Sequence, residues 1–363
     1  MLKTDDQNWR KNVKRSIYKL FYFVAALPFL SSTASAKEEC VTEKKAPAAT
    51  KEIEMVSGYN ASSRIDVNGA WDVFVNGSYI LWQPRQSGLG IAESIPTLAT
   101  NRASEVQMDF DFHSGFKVAI GTNLNHDNWM AAVEYTRLHC HDHASSTVDG
   151  VTHFLSANWL LSTTPSFVST DGHWKFEYDV LDLSFIRPCY VGTHLTFKPY
   201  FGLRGGWIDQ NLNAQYFLAV TNQESTSHNK SDTWMIGPRA GIGMNWFLGK
   251  GFRLLAHAAG SLLYQEFENS HSEVINTLTV TNVSFKDENH QVTPNVEGDL
   301  GFGWGTYFDN SNWHFDLLAS YHFEVYWSQN DMRRIRDELV TTDFAKPGTL
   351  GLQGLTITAQ LDF

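Results

Sequence analysis

The sequence predicts an all-β protein: a transmembrane antiparallel up-and-down β-barrel of about ten strands, with short periplasmic turns and long extracellular loops. Three observations carry the expectation. Apolar and polar residues alternate with period two through most of the chain, the alternating segments are long enough to cross a bilayer at a tilt, and the connections switch between short and long. Composition excludes the main rivals. With 42% hydrophobic and 18% charged residues the chain is too polar for a bundle of membrane helices, and at 13% aromatic it is too rich for disorder.

The amino terminus comes first. Lys3, Arg10, Lys11, Lys14, Arg15 and Lys19 precede or enter an apolar run at 17–30 that leads to Ala34-Ser35-Ala36, so residues 1–36 read as a signal peptide cleaved after Ala36. A membrane anchor fits worse, because the run is about 14 residues, short of the roughly 20 that span. Cleavage removes six of the 28 basic residues and two of the 39 acidic ones, which leaves a formal charge of -15. Such a surface repels phosphate backbones, so nucleic acid is excluded as a partner. Residues 37–69 are charged and Ala-rich, and read as a flexible periplasmic lead-in to a barrel over 70–363.

Ten alternating segments follow, near 71–82, 106–121, 129–139, 174–187, 194–209, 232–247, 252–267, 291–308, 313–328 and 350–363. In the second, Phe110, Phe112, Phe116, Val118 and Ile120 oppose Asp109, Asp111 and Lys117; in the third, Trp129, Ala131, Val133 and Tyr135 oppose Glu134. In the fifth, Phe201, Leu203 and Trp207 oppose Lys198 and Arg204. The sixth and seventh set Ile236, Ala240, Ile242 and Leu254 against Arg239 and Arg253. The eighth sets Val296, Leu300 and Phe302 against Glu297 and Asp299, and the ninth sets Phe315, Leu317, Tyr321 and Phe323 against Asp316 and Glu324. A sandwich also alternates, but soluble strands average about five or six residues whereas membrane strands need roughly 9 to 11. The short connections are 122–128, 188–193, 248–251 and 309–312; the long ones are 83–105, 140–173, 210–231, 268–290 and 329–349. The β-prone stretches 213–222 and 274–286 either extend their neighbours or add a pair, so twelve strands is the alternative.

Nine of the 12 tryptophans lie at or near a segment end, including Trp82 and Trp174, and Trp71, Trp129, Trp207, Trp234, Trp246, Trp313 and Trp327 are expected to form two girdles at the lipid headgroups. The last segment places Leu355, Ile357, Ala359 and Leu361 at alternate positions and ends on Phe363. A terminal strand of this kind is the expected assembly signal for the barrel-assembly machinery, and outer-membrane lipids are the expected surroundings.

The first segment, Asp72-Val73-Phe74-Val75-Asn76-Gly77-Ser78-Tyr79-Ile80-Leu81-Trp82, resembles the first strand of the Legionella-type pore-forming major outer-membrane protein family, which is also expanded in chlamydia-like bacteria. Asp182-Leu183, Arg187-Pro188 and the run from Leu195-Thr196-Phe197 through Gly205-Gly206-Trp207-Ile208-Asp209-Gln210 are similar to it as well. The resemblance covers about 70–363 and implies a bacterial outer-membrane protein with a porin-like role, passing ions and small hydrophilic solutes and stiffening the envelope. Cys189 departs from it, standing where an aromatic or other apolar residue is expected.

The lumen is expected to be lined by Asp109, Asp111, Lys117, Glu134, Lys198, Arg204, Arg239, Arg253, Glu297, Asp299, Asp316 and Glu324. Its basic members concentrate in the fifth to seventh segments, and its acidic members in the early and late ones, so the two sets face each other across a closed ring. They either make a transverse field that biases ion choice toward cations or pair and fill a narrow barrel. His139, His141 and His143 share one face of the third strand and are weak metal candidates. No cofactor and no enzymatic chemistry is expected, since His153 and Ser156 lack a Gly-x-Ser-x-Gly elbow. Cys40, Cys140 and Cys189 form an odd set in an oxidising compartment; Cys140 and Cys189 are expected at opposite ends of one barrel, leaving Cys40 or a second copy as cross-linking partners. The long outward loops give an alternative function, a surface adhesin or interaction protein.

Overall fold

The computed structural model describes residues 61–68, 72–97, 103–124, 126–161, 167–218, 223–276, 280–334 and 348–363. The signal peptide, most of the lead-in, Cys40 and Trp71 lie outside the described residues. Among those described, fourteen strands form in chain order: β1 (Val73–Gln86), β2 (Ala92–Pro96), β3 (Ser104–Val106), β4 (His113–Asn123), β5 (Met130–Thr147), β6 (His153–Ala157), β7 (Phe167–Ile186), β8 (Cys189–Tyr190), β9 (Leu195–Leu218), β10 (Glu224–Gly249), β11 (Phe252–Asn276), β12 (Val280–Phe308), β13 (Trp313–Asn330) and β14 (Gly348–Asp362).

Ten of them close a ring in the order β1, β4, β5, β7, β9, β10, β11, β12, β13, β14, every pair antiparallel, with β14 returning to β1 from Phe74↔Asp362 to Gln86↔Leu350. Closure leaves no sheet edge, which lipid requires because it offers the backbone no hydrogen bonds. The remaining strands are attachments. β2, β3 and β6 form a small sheet beside the extracellular end of β7, and β8 pairs briefly with β9. Short turns suit their places: register Gly249↔Phe252 leaves a two-residue loop in which Lys250 (φ 52°) and Gly251 (φ 83°) both take positive φ, the geometry that matches hairpin twist.

The strands outrun the bilayer. β9, β10, β11 and β12 have 24, 26, 25 and 29 residues. The twelve steps from Trp246 to Trp234 cover about 40 Å along a strand and about 30 Å across a membrane at the usual tilt, one hydrocarbon thickness. The described parts of 213–222 and 274–286 lie in β9, β11 and β12, so they lengthen existing strands and do not add a pair. Extracellular strand ends expected near 209, 232, 267 and 291 therefore lie inside continuous strands.

Along β7 and β9 the polarity of the two faces inverts. At the periplasmic end of β7 the outward residues are Leu181, Leu183 and Phe185, with Asp182 buried inside; farther out, Lys175, Glu177 and Asp179 face outward while Trp174, Phe176, Tyr178 and Val180 are buried. β9 repeats the change, with Phe201 and Leu203 exposed and Arg204 buried, then Asp209, Asn211 and Gln215 outside and Ile208, Leu212 and Tyr216 inside. The membrane band is inside-out, and the extracellular extension encloses a hydrophobic core that also includes Leu89, Ile91, Leu155, Trp159, Leu263 and Tyr326, beside the inward polar residues Ser225, Ser227, Asn229 and Ser231 of β10.

Part of the predicted flexible lead-in is fixed. Tyr190 N donates to Ala61 O at 2.9 Å, Ser63 N to Pro188 O at 3.2 Å and Asn68 N to Ser311 O at 2.8 Å, so residues 61–68 run from the β7–β9 connection to the β12–β13 turn.

Candidate functional site: the barrel lumen

At mid-barrel five charged side chains from five strands meet. Arg204 of β9 is 3% exposed and its guanidinium grips Asp182 of β7 at both oxygens (2.7 and 2.8 Å), Glu297 of β12 at 2.7 Å, and Glu324 of β13. Arg239 of β10 binds Glu297 (Nε to Oε1 2.8 Å), reaches Asp182 at 3.8 Å and lies over the Tyr200 ring. Asn295 and two tyrosines complete the layer: Tyr178 donates to Glu324 at 3.1 Å, and the Tyr178 and Tyr326 hydroxyls are 2.9 Å apart. Charges this well buried are tolerable only with full pairing, and here two guanidiniums hold three carboxylates.

On the periplasmic side of that layer lies a cavity of about 350 Å³. Its wall includes Lys117, Glu134, Asp182, Lys198, Tyr200, Arg239, His257, Glu297, Asp299 and His322, and at the periplasmic end Arg64, Ile65, Pro188 and Asp362. Lys117 pairs with Glu134 at 3.3 Å. Asp299 sits between two imidazoles, at 3.0 Å from His257 Nδ1 and 2.9 Å from His322 Nδ1, and Tyr200 hydroxyl is 2.6 Å from His257 Nε2. Arg253 and Asp316 form a bidentate pair at 2.8 and 2.7 Å near the periplasmic end. On the extracellular side of the layer the interior is occupied by buried aromatic and aliphatic side chains together with a polar set from β10 and β11 that includes Asn229, Asn269, His271 and Glu273.

Of the residues expected in the lumen, ten of twelve face it. Asp109 and Asp111 do not: both are exposed on the segment ahead of β4, where Asp109 makes an isolated bridge to His143. The alternation that suggested them runs through a break, since β4 begins only at His113. Asp182, Tyr178, Tyr326, His257 and His322 were not among the expected lining residues. A signal for the first two exists in the sequence, because apolar residues move from even to odd positions between Val180 and Leu181.

Tryptophan falls into two classes. Trp207 and Trp234 are direct cross-strand neighbours, and Trp246 and Trp327 are exposed on the outside, with Trp313 packed on Phe363 at 5.4 Å and Trp129 on Phe201 at 5.6 Å. Trp82 and Trp174 differ from the end-of-strand expectation: both are 1% exposed and point inward, Trp82 stacked on His322 at 4.2 Å and Trp174 donating to Gln210. Their strands continue past them, so a position read as a strand end is an interior one.

The histidine expectation also changes. His139, His141 and His143 do share the outer face of β5, but alternate residues are about 6.6 Å apart, so the outer two are separated by about 13 Å and cannot close on one ion. His139 is engaged with Asp179 at 2.9 Å, and His143 stacks on His173. Cys140 and Cys189 are unbonded; Cys140 is buried on the inner face of β5, and Cys189 lies in β8 at the periplasmic end, bridged to Ser62.

A family model described as Legionella pneumophila major outer membrane protein precursor matches residues 66–363. No curated protein matches the chain. Among solved structures it is similar to the outer membrane protease OmpT from Escherichia coli, with 12% identity over 84% of this chain and 99% of that one and a TM-score of 0.43. It is also similar to the P. putida toluene transporter TodX (9% identity, 80% and 89% covered, TM-score 0.27) and to the outer membrane protein AlkL in lipid bilayers (16% identity, 72% and 95% covered, TM-score 0.25). The protease and transport activities belong to those proteins and are not inferred from likeness at these identities.

Proposed function

The chain belongs to the Legionella pneumophila major outer membrane protein family and resides in the outer membrane, and we propose that it is a narrow, porin-like diffusion channel for ions and small hydrophilic solutes. The observation that supports this reading most is the charged interior at membrane depth, with a cavity reaching the periplasmic end. Ionisable groups inside a membrane protein are costly and mark ion or solute paths more often than they serve packing. In this reading the Arg204–Arg239 layer is the constriction, and the extracellular core is a gate that must loosen before solute passes. The cavity wall carries Glu134, Asp182, Glu297, Asp299 and Asp362 against Arg64, Lys117, Lys198 and Arg239, a small acidic excess that favours cations.

Planar-bilayer recording of the refolded protein tests it. Small discrete current steps with mild cation preference are expected, and Lys198→Glu should strengthen that preference without unfolding the barrel. Arg204→Glu is a poorer choice, because it would set a fourth carboxylate among three buried ones. A correctly folded protein that never conducts would overturn the channel.

A second reading, a surface interaction protein, is favoured by the extracellular extension, which carries polar residues on its outside far above the membrane band. Host-cell binding that is lost with the outer loops removed, in a protein that passes no current, would select it.

A further inference from the structure

We propose that His113, Cys140 and Asp142 form a binding site for a divalent metal ion of the zinc class at the extracellular end of β4 and β5. One ligand atom from each side chain lies within 4.8 Å of the others. Cys140 and Asp142 are alternate residues on the inner face of β5, and His113 opens the neighbouring β4, so two strands bring three ligands of different chemistry to one point.

The state of Asp142 is what points to an ion. Its side chain is 1% exposed. One oxygen accepts from Asp111 N at 3.3 Å and lies 2.7 Å from His113 Nε2, but the second, Oδ2, is buried with no hydrogen-bond partner. Beside it the Cys140 thiol is 3% exposed and in no disulfide, and across the strand stand Trp174 and Phe176. Among the described residues the basic side chain within ion-pair reach of Asp142 is the His113 imidazole alone. Leaving a carboxylate oxygen unpaired in an aromatic wall is costly, and a cation shared by carboxylate, thiolate and imidazole would remove the cost.

The donor set selects the ion. Nitrogen, sulfur and oxygen together suit zinc, and its bonds of about 2.0–2.3 Å need the three atoms to close by roughly 1 Å from their present spread, a side-chain adjustment. Three protein ligands leave the fourth position to water. His113 keeps 21% of its side chain accessible, which provides the entry side. This site is distinct from the outer-face histidines of the same strand and does not depend on the channel reading.

The test is titration of the full-length folded protein in detergent with zinc, and with cobalt as a spectroscopic substitute. One equivalent is expected to bind, with cobalt giving thiolate charge-transfer absorption in the near ultraviolet. Cys140→Ser should abolish that absorption, and Asp142→Asn and His113→Ala should each weaken zinc binding at least tenfold. His141→Ala and Cys189→Ser should change nothing, and gel mobility before and after heating reports that each variant barrel is folded. Absence of binding in the folded protein, or binding that survives both Cys140→Ser and Asp142→Asn, would overturn the site.

Discussion

In the periplasmic half of the barrel the inward positions hold Lys117, Asp182, Arg204, Arg239, Glu297 and Glu324; in the extracellular half those of β7 and β9 hold Trp174, Phe176, Ile208, Leu212 and Tyr216, while those of β10 hold Ser225, Ser227, Asn229 and Ser231. The outward positions change in the opposite sense, from Phe201 and Leu203 to Asn211 and Gln215. Hydrogen-bonded pairing continues through the change without interruption. The backbone is indifferent to its surroundings, and side-chain polarity on each face records which solvent touches that stretch, lipid or water. One half is held together by paired charges around a cavity, and the other by an aromatic and aliphatic cluster packed beside buried polar side chains such as Asn229, Asn269 and His271.

The largest effect that sharpens this contrast is expected from Arg204→Met. It leaves Asp182, Glu297 and Glu324 buried with Arg239 as the remaining guanidinium of the layer, and should lower unfolding stability by about 3–5 kcal/mol in urea titrations followed by tryptophan fluorescence. A loss below about 1 kcal/mol would mean that water already solvates the layer, which erases the distinction between the halves. Leu263→Ala, fully buried in the outer core, should cost about 2–5 kcal/mol by opening a cavity and should leave ion selectivity untouched. The smallest effects come from the outer surface of β9. Leu203→Lys at membrane depth should cost about 2–4 kcal/mol in lipid vesicles, whereas Gln215→Lys on the same face should fall within about 0.5 kcal/mol. Equal costs would place the membrane boundary elsewhere.

Much of the ring was legible in the sequence, because a period of two, membrane-length segments and alternating connection lengths all follow from backbone and bilayer geometry. The opposition of Arg204 and Arg239 to Glu297 and Glu324 was legible too, since strand order fixes position around a closed ring. What stayed hidden has a common cause. Reading every segment as ending at the membrane surface made Trp82 and Trp174 look like headgroup anchors, and concealed that β9–β12 continue into water. Tyr178 sits at a position that alternates as apolar, and only contact across the lumen gives its hydroxyl a role on Glu324; Tyr326 shares the polar register of Glu324 but carries an aromatic ring, and its hydroxyl meets that of Tyr178. Cys140 and Asp142 are alternate residues of one strand, but His113 lies more than twenty positions before them, and strand pairing alone brings it to them.

Residues 61–68 tie the β7–β9 connection to the β12–β13 turn. Anchored at both ends, that peptide lays Ser63, Arg64 and Ile65 against the periplasmic end of the cavity like a bar across a threshold. In the proposed channel that bar would meet an arriving solute ahead of the charged interior, so the first sorting there would be by bulk.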